Sequence, residues 1–104
     1  MNDRNVLKTG SLAYYDTFSG LVPCKVLAVR DTRDYNQKVW FDLAKGGIPG
    51  SLKVDIKLTA TRCAYKKGEV LRDVHAHDVV PRGSVRFRES GNAMITGYRV
   101  EVSK

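Results

Sequence analysis

The chain of 104 residues has few of the features that build metal sites, membrane spans or helices. It contains two cysteines, Cys24 and Cys63, and neither has a second cysteine near enough to form a CxxC metal half-site. No window approaches the ~20 apolar residues of a membrane span. No window of helical length places apolar residues at i, i+3, i+4 and i+7. The sequence therefore argues against a CxxC metal site, a transmembrane segment and an amphipathic helix.

The two cysteines also lack an environment that would activate a thiol. Both lie in apolar strand patterns, where the thiolate is disfavoured, so a Cys-His nucleophile formed with His75 or His77 is not indicated. In a reducing compartment each is a small core side chain or a quiet thiol. A disulfide between them remains open if the protein is exported. Residues 1–5 lack the apolar stretch of a signal peptide, and we expect a cytoplasmic location and no membrane partner.

Acidic residues are few relative to basic ones. Eighteen Lys and Arg against eleven Asp and Glu give a formal net charge of +7, and the resulting positive potential attracts polyanions. Residues 51–104 hold eleven of the basic and six of the acidic residues. The positive surplus therefore lies mainly in the C-terminal half of the chain.

Alternating apolar and polar residues indicate β-strands along most of the chain. In residues 52–60, Leu52, Val54 and Ile56 point one way while the intervening Lys and Asp residues point the other. Gly68 follows two lysines and supplies the positive φ of a short hairpin turn. The strand signals cover residues 11–16, 21–30, 38–43, 52–60, 70–71, 79–80, 84–89 and 93–102.

Short strands, frequent turn signals and the lack of a helix predict an all-β barrel or a two-sheet sandwich. We expect a flexible lead-in over residues 1–10, followed by a single β-barrel domain of five to seven strands over residues 11–104. The last two segments form a C-terminal β-hairpin across residues 90–92, with Val85 and Phe87 facing the core.

Three short segments carry a resemblance to a known class of domain. Residues 13–16 (AYYD), 23–26 (PCKV) and 39–42 (VWFD) resemble the first three strands of Tudor or SH3-like barrels, a match that covers about residues 11–43. The resemblance implies a strongly bent SH3-like barrel whose ligands lie across its open end, near the loops after the first and third strands. Small basic barrels of this size are also similar to phage or mobile-element accessory proteins.

Asp73, His75 and His77 are spaced at i, i+2 and i+4, so on a strand all three would project from one face. Metal sites that use an H-x-H pair have this spacing, and Cys63 could supply a further ligand. The alternative is a polar face on a half-exposed strand or loop. We favour the alternative because two imidazoles and one carboxylate lack an identified further ligand, and we expect no metal and no cofactor.

Two groups of basic residues could contact phosphate. Arg86, Arg88 and Arg99 are expected on the outer face of the last hairpin with Arg82 beside them, where guanidinium forks suit phosphate oxygens. The alternative is a solvated face of cross-strand Arg-Glu pairs. The second group lies on the 52–60 strand and at the hairpin tip, and comprises Lys53, Lys57, Lys66 and Lys67.

Two adjacent aromatic pairs, Tyr14 with Tyr15 and Trp40 with Phe41, must each split between the two faces of a strand. An exposed ring beside basic residues could stack a nucleic-acid base. More often such a ring packs beneath a neighbouring loop.

The favoured function is that of a non-enzymatic basic β-barrel that binds DNA or RNA through its phosphates with low sequence specificity. The alternative is a protein-interaction module, such as a phage or mobile-element accessory inhibitor that binds an acidic host protein. A metal-dependent enzyme built on Asp73, His75 and His77 is a third, weaker interpretation. Exposed strand edges would also allow a homodimer.

Overall fold

The structure is a computed structural model. It describes residues 5–17, 19–31, 38–41, 51–89 and 93–103, with the backbone alone for 38–41. Most of these residues are in β-strands and none is in an α-helix. The all-β class predicted from the sequence is therefore confirmed. None of the helical segments in the described ranges has the length and apolar character needed to cross a membrane.

The described part of the chain contains ten strands and two 3-10 helices. The strands are β1 (Val6–Leu7), β2 (Leu12–Thr17), β3 (Gly20–Asp31), β4 (Lys38–Phe41), β5 (Leu52–Leu58), β6 (Val70–His75), β7 (Val79–Pro81), β8 (Val85–Phe87), β9 (Ala93–Ile95) and β10 (Tyr98–Glu101). The 3-10 helices, Ala76–Asp78 and Arg82–Ser84, lead into β7 and β8.

The strands form three sheets. The largest is antiparallel, with the strand order β6-β5-β3-β2-β7. The second has the order β1-β10-β4, with β1 parallel to β10 and β4 antiparallel to it. The third is the two-stranded ribbon β8-β9. None of these sheets closes on itself among the described residues, so the SH3-like barrel stays a prediction.

The core lies against one face of the five-stranded sheet. The alternation predicted for residues 52–60 is confirmed only in part, because the strand ends at Leu58 and Asp55, expected on the outer face, is buried. Lys57 is exposed as predicted, and Val54, Ile56 and Leu58 are buried. Their partners on β3 are buried as well: Leu58 pairs with Cys24 and Ile56 with Val26. The other sheet contributes Leu7, Tyr98 and Val100 to the same buried cluster.

Pro23 lies within β3, where it must avoid a hydrogen-bonding position that needs an N–H. The registered pairing of β3 with β5 ends at Cys24, one residue later in the chain. Beyond that end, the carbonyl of Pro23 accepts a hydrogen bond from the N–H of Thr59 at 2.9 Å. The proline therefore lies at the margin of this pairing, as expected for a residue near the start of a strand.

Residues 6 and 7 differ from the loose lead-in that the sequence predicted. Val6 and Leu7 pair in parallel with Arg99 and Val100, and Leu7 is fully buried. The hydroxyl of Ser11 donates to the carbonyl of Val6 at 2.7 Å and so holds the following turn. Two consecutive apolar residues were too short a signal for a strand, yet burial beside β10 stabilises them.

The predicted C-terminal hairpin is only partly correct. Its first part forms as the ribbon of β8 and β9. The pairing of these two strands ends at a hydrogen bond of 2.8 Å from the N–H of Thr96 to the carbonyl of Ser84. The second arm was expected to continue to residue 102, but β10 leaves the ribbon and joins β1 and β4. The physical reason is burial, since Tyr98 and Val100 reach the core only in that second sheet.

Candidate functional site

The solvent-facing side of the five-stranded sheet carries a row of four side chains, here called the lysine row. The register places Leu12 beside Lys25, Lys25 beside Lys57, and Lys57 beside Val70, on four successive strands. All four side chains are exposed, including 51% of Leu12 and 42% of Val70. Two lysines therefore face each other across neighbouring strands, between two exposed apolar residues.

A cleft lies on the same side of the sheet, one row along the strands, and is here called the aromatic cleft. It has a volume of about 370 Å³, and its walls include Tyr14, Leu21, Pro23, Arg62 and Phe87. Tyr14 is opposite Pro23 in the register. Pro23 precedes Lys25 by two residues, so about 7 Å along the strand separates the cleft from the lysine row.

The aromatic rings of the cleft are nearly perpendicular. The Tyr14 and Phe87 ring centroids are 6.0 Å apart, and the ring planes meet at 88°. This edge-to-face contact is a favourable geometry for an aromatic pair. Phe87 is nevertheless 60% exposed. The sequence-based expectation that Phe87 faces the core is therefore wrong, because the β8-β9 ribbon lies over Tyr14 at the surface.

Arg82 lies next to this aromatic pair. Its guanidinium carbon is 5.4 Å from the centroid of the Tyr14 ring, a cation–π distance. The 3-10 helix that begins at Arg82 links β7, which pairs with β2 at Tyr14, to the ribbon that carries Phe87. The Nε atom of Arg82 is buried and has no hydrogen-bond partner within the described part of the chain.

The β8-β9 ribbon separates the predicted arginine patch from the aromatic cleft. Arg86 pairs with Met94, and an Nη atom of Arg88 lies 3.4 Å from the sulfur of Met94. Strand alternation places Arg86 on the face opposite Phe87. Arg86 and Arg88 are exposed, as predicted, but they project from the far face of the ribbon.

The other predicted phosphate contacts are dispersed. Arg99 was expected to join Arg86 and Arg88, but this grouping is wrong. Arg99 lies on β10, in a different sheet, and pairs with Val6 and Trp40. Lys53 forms a hydrogen bond with His75, and its Nζ lies 2.9 Å from the histidine Nδ1. The lysines at 66 and 67 are exposed at the turn before β6, where Gly68 has the predicted positive φ, at +91°.

Ion pairs concentrate at the opposite end of the sheet from the aromatic cleft. The buried carboxylate of Asp55 accepts from an Nη atom of Arg30 at 2.7 Å, and Arg72 lies 3.6 Å away. Arg30 also contacts the carboxylate of Asp73. By contrast, six basic residues around the cleft, the lysine row and the ribbon form no ion pair within the described ranges: Lys25, Lys57, Arg62, Arg82, Arg86 and Arg88.

The candidate metal residues do not share one strand face. Asp73 has a φ of +57°, and the strand ends at His75, so His77 lies in a 3-10 helix. The two imidazole rings stack with centroids 5.2 Å apart, and the Nε2 of His77 lies 3.4 Å from the carboxylate of Asp78. In the described ranges no group of three His, Cys, Asp or Glu side chains is placed to hold a metal ion.

The buried thiol of Cys24 is kept neutral. Burial raises the pKa of Cys24 to about 12, and the nearby Arg82 guanidinium opposes this shift only in part. Cys24 and Cys63 are both free, so the disulfide that the sequence left open does not form in this structure.

Tyr15 points away from its neighbour Tyr14 and contacts Tyr65 edge to face, and burial raises the pKa of Tyr15.

Sequence reasoning missed three parts of this site: Lys25, Arg62 and the Tyr14–Phe87 pair. The strand pattern placed Lys57 outward on its own strand, whereas the exposure of Lys25 on β3 was not predicted. Only the pairing register brings the two lysines side by side. Tyr14 and Phe87 are 73 residues apart in the chain, and no local pattern joins them.

Comparisons of this chain with protein-family models, with curated proteins and with solved structures find no match.

Proposed function

We propose that this protein is a non-enzymatic binding module that contacts nucleic-acid phosphates with low sequence specificity. The observation that carries the proposal is the pair Lys25 and Lys57, which face each other on adjacent strands without a carboxylate partner in the described ranges. Like charges placed directly opposite each other destabilise a sheet. A bound phosphate between them would remove that repulsion.

The surrounding residues support a polyanion as the ligand. Arg62 and Arg82 lie at the neighbouring aromatic cleft, so four basic side chains occupy one side of the sheet. The formal net charge of +7 attracts polyanions over a distance. Arg86 and Arg88 on the ribbon would extend the contacts to a ligand that passes around its edge.

Low sequence specificity follows from the types of side chain that are exposed. Lysine and arginine contacts to phosphate position a nucleic acid but do not read its bases. The described residues include no α-helix that could enter a major groove. The binding free energy would therefore come mainly from counterion release, which makes the affinity strongly dependent on salt.

The proposal includes the SH3-like barrel and the cytoplasmic location expected from the sequence. Support for a strongly bent sheet comes from its five antiparallel strands, each paired with its neighbour. The register between β3 and β5 also shifts between Val26 and Ala28, and such bulges bend a strand. The binding surface proposed here does not depend on closure of that sheet, because the register alone brings Lys25 beside Lys57.

The test is a binding titration with labelled DNA and RNA over a range of salt concentrations, comparing wild type with Lys25→Gln/Lys57→Gln. We expect affinity to fall with salt, and the slope of log K against log salt to shrink by about 0.7–0.9 for each lost phosphate contact. A matched control, Lys8→Gln/Arg99→Gln, removes the same charge from β10 and from the residue that follows β1. It should leave most of the slope in place.

Two results would contradict the proposal. If neither DNA nor RNA binds at low salt, the basic surface does not recognise nucleic acid, and an acidic protein becomes the partner to test. If both double variants reduce the slope equally, net charge rather than the lysine row determines binding.

A further inference from the structure

We infer that the aromatic cleft is a stacking site for one unpaired base, so the preferred ligand is single-stranded nucleic acid. This inference rests on the proposed function, because the phosphates on either side of the base would contact Lys25, Lys57, Arg62 and Arg82. It adds a site for the base, which phosphate binding alone does not require.

The arrangement of the two rings supports a base as the occupant. Their planes meet at 88°, so the cleft has a corner made of two aromatic walls. A planar base stacked on one ring would present its edge to the other, and both contacts are favourable for aromatic groups. The guanidinium of Arg82 lies over the Tyr14 ring, so the 60% exposed Phe87 is the ring on which a base would stack.

The charges at the cleft distinguish a nucleic acid from a purely apolar ligand. Arg62 forms part of the cleft wall, and Arg82 borders it. Neither guanidinium has an ion-pair partner within the described part of the chain. An aromatic surface flanked by cations that lack an ion-pair partner is the combination that binds single strands with little regard to sequence.

A duplex cannot use this cleft in the same way. Its bases are stacked on one another and offer only their edges in the grooves. An unpaired base has both faces free and can enter a cleft that is open at the surface. DNA and RNA strands share this chemistry, so each is tested as a separate probe.

The experiment measures binding of two single strands of about ten nucleotides, a length typical for such sites. One is oligothymidylate, and the other is an abasic strand with the same number of phosphates. Phe87→Ala should weaken binding of the thymidylate strand roughly 5- to 150-fold, the effect measured when a stacking ring is removed. The same variant should leave binding of the abasic strand unchanged, since that strand has no base to stack.

Two further variants guard against a structural effect. Phe87→Trp keeps a stacking ring and should restore binding. Met94→Ala removes an exposed apolar side chain from the other face of the same ribbon and should have little effect. Oligouridylate and a DNA duplex complete the set, with the duplex expected to bind more weakly than either single strand.

The outcomes separate this inference from the proposed function. If Phe87→Ala weakens the thymidylate and abasic strands equally, or weakens neither, stacking is excluded while salt-dependent phosphate binding stands. If wild type binds the duplex as tightly as the single strands, the single-strand preference is wrong. If no probe binds at low salt, both proposals fail together.

Discussion

At the scale of single residues, the turn between Arg62 and Tyr65 has an unusual composition. The two residues exchange backbone hydrogen bonds of 3.0 and 2.8 Å, and Cys63 and Ala64 between them have φ values of 52° and 69°. Positive φ at both central positions is the mark of a type I′ turn, for which Asn-Gly is the preferred sequence. Side chains with a Cβ are strained in this region.

We expect Ala64→Gly to stabilise the protein. Removing the left-handed strain at an exposed alanine raises the free energy of unfolding by about 1–2 kcal/mol. The greater entropy of glycine in the unfolded chain lowers it by about 0.5–1 kcal/mol. The net gain, of order 0.5–1 kcal/mol, is measured as a higher urea midpoint. Ala93→Gly, at an exposed strand position outside the left-handed region, is the control and should destabilise. A loss of stability in Ala64→Gly would show that the turn is not strained.

At the scale of secondary-structure elements, Asp55 joins three strands of the large sheet. Its carboxylate, on β5, accepts from Arg30 on β3 at 2.7 Å and from the backbone N–H of Asp73 on β6 at 3.0 Å. Asp73 has a positive φ there, and the pairing of β5 with β6 changes register between Val54 and Ile56. The buried carboxylate therefore satisfies an N–H that this irregularity leaves without a strand partner.

Removing this carboxylate should destabilise the β5–β6 edge. We expect Asp55→Ala to cost about 1–3 kcal/mol, the penalty for leaving a partly buried donor unsatisfied, since Arg30 is exposed enough to regain water. Chemical denaturation measures the loss. Asp16→Ala on β2, where the carboxylate is exposed, is the matched control and should change stability by less than about 0.5 kcal/mol. Equal effects of the two substitutions would contradict a special role for Asp55.

Most of the large sheet could be predicted from the sequence because its strands have one buried and one exposed face. The pattern in residues 52–58 repeats every two residues, and the glycine at 68 marks the following turn. The pattern failed at Asp73, where a backbone irregularity reverses the alternation and moves His75 and His77 off a common face. A change in register has no local sequence signal of this kind.

The site was harder to predict than the strands. Phe87 alternates with Arg86 as a core residue would, but the ribbon that carries it is only two strands wide and is not covered on both faces. Local alternation predicts that side chains face opposite ways and does not show which face meets the core. The Lys25–Lys57 pair similarly depends on the register between β3 and β5, which only the tertiary structure defines.

At the scale of the whole molecule, the core holds acidic groups that folding keeps neutral. Burial raises the pKa of Cys24 from 9.0 to about 12, and burial also raises the pKa of Tyr98. The Tyr98 hydroxyl donates to the carbonyl of Val79 at 3.4 Å. In the unfolded chain both groups lose their protons at lower pH than in the folded protein. Their neutral forms therefore stabilise the folded state fully only below the unfolded pKa values.

The free energy of unfolding should consequently fall as the pH rises from about 9 to about 12, the interval between the unfolded and folded pKa values of Cys24. A pKa shift of this size lowers the free energy of unfolding by about 4 kcal/mol across the interval, at about 1.4 kcal/mol per pKa unit. Urea denaturation of wild type and Cys24→Ala at a series of pH values measures it. The variant starts with a smaller core side chain and lower stability at neutral pH, but its stability should decline less steeply. Parallel curves for the two proteins would mean that the thiol ionises as easily in the folded chain as in the unfolded one, and that alkaline unfolding comes from other groups, such as Tyr98.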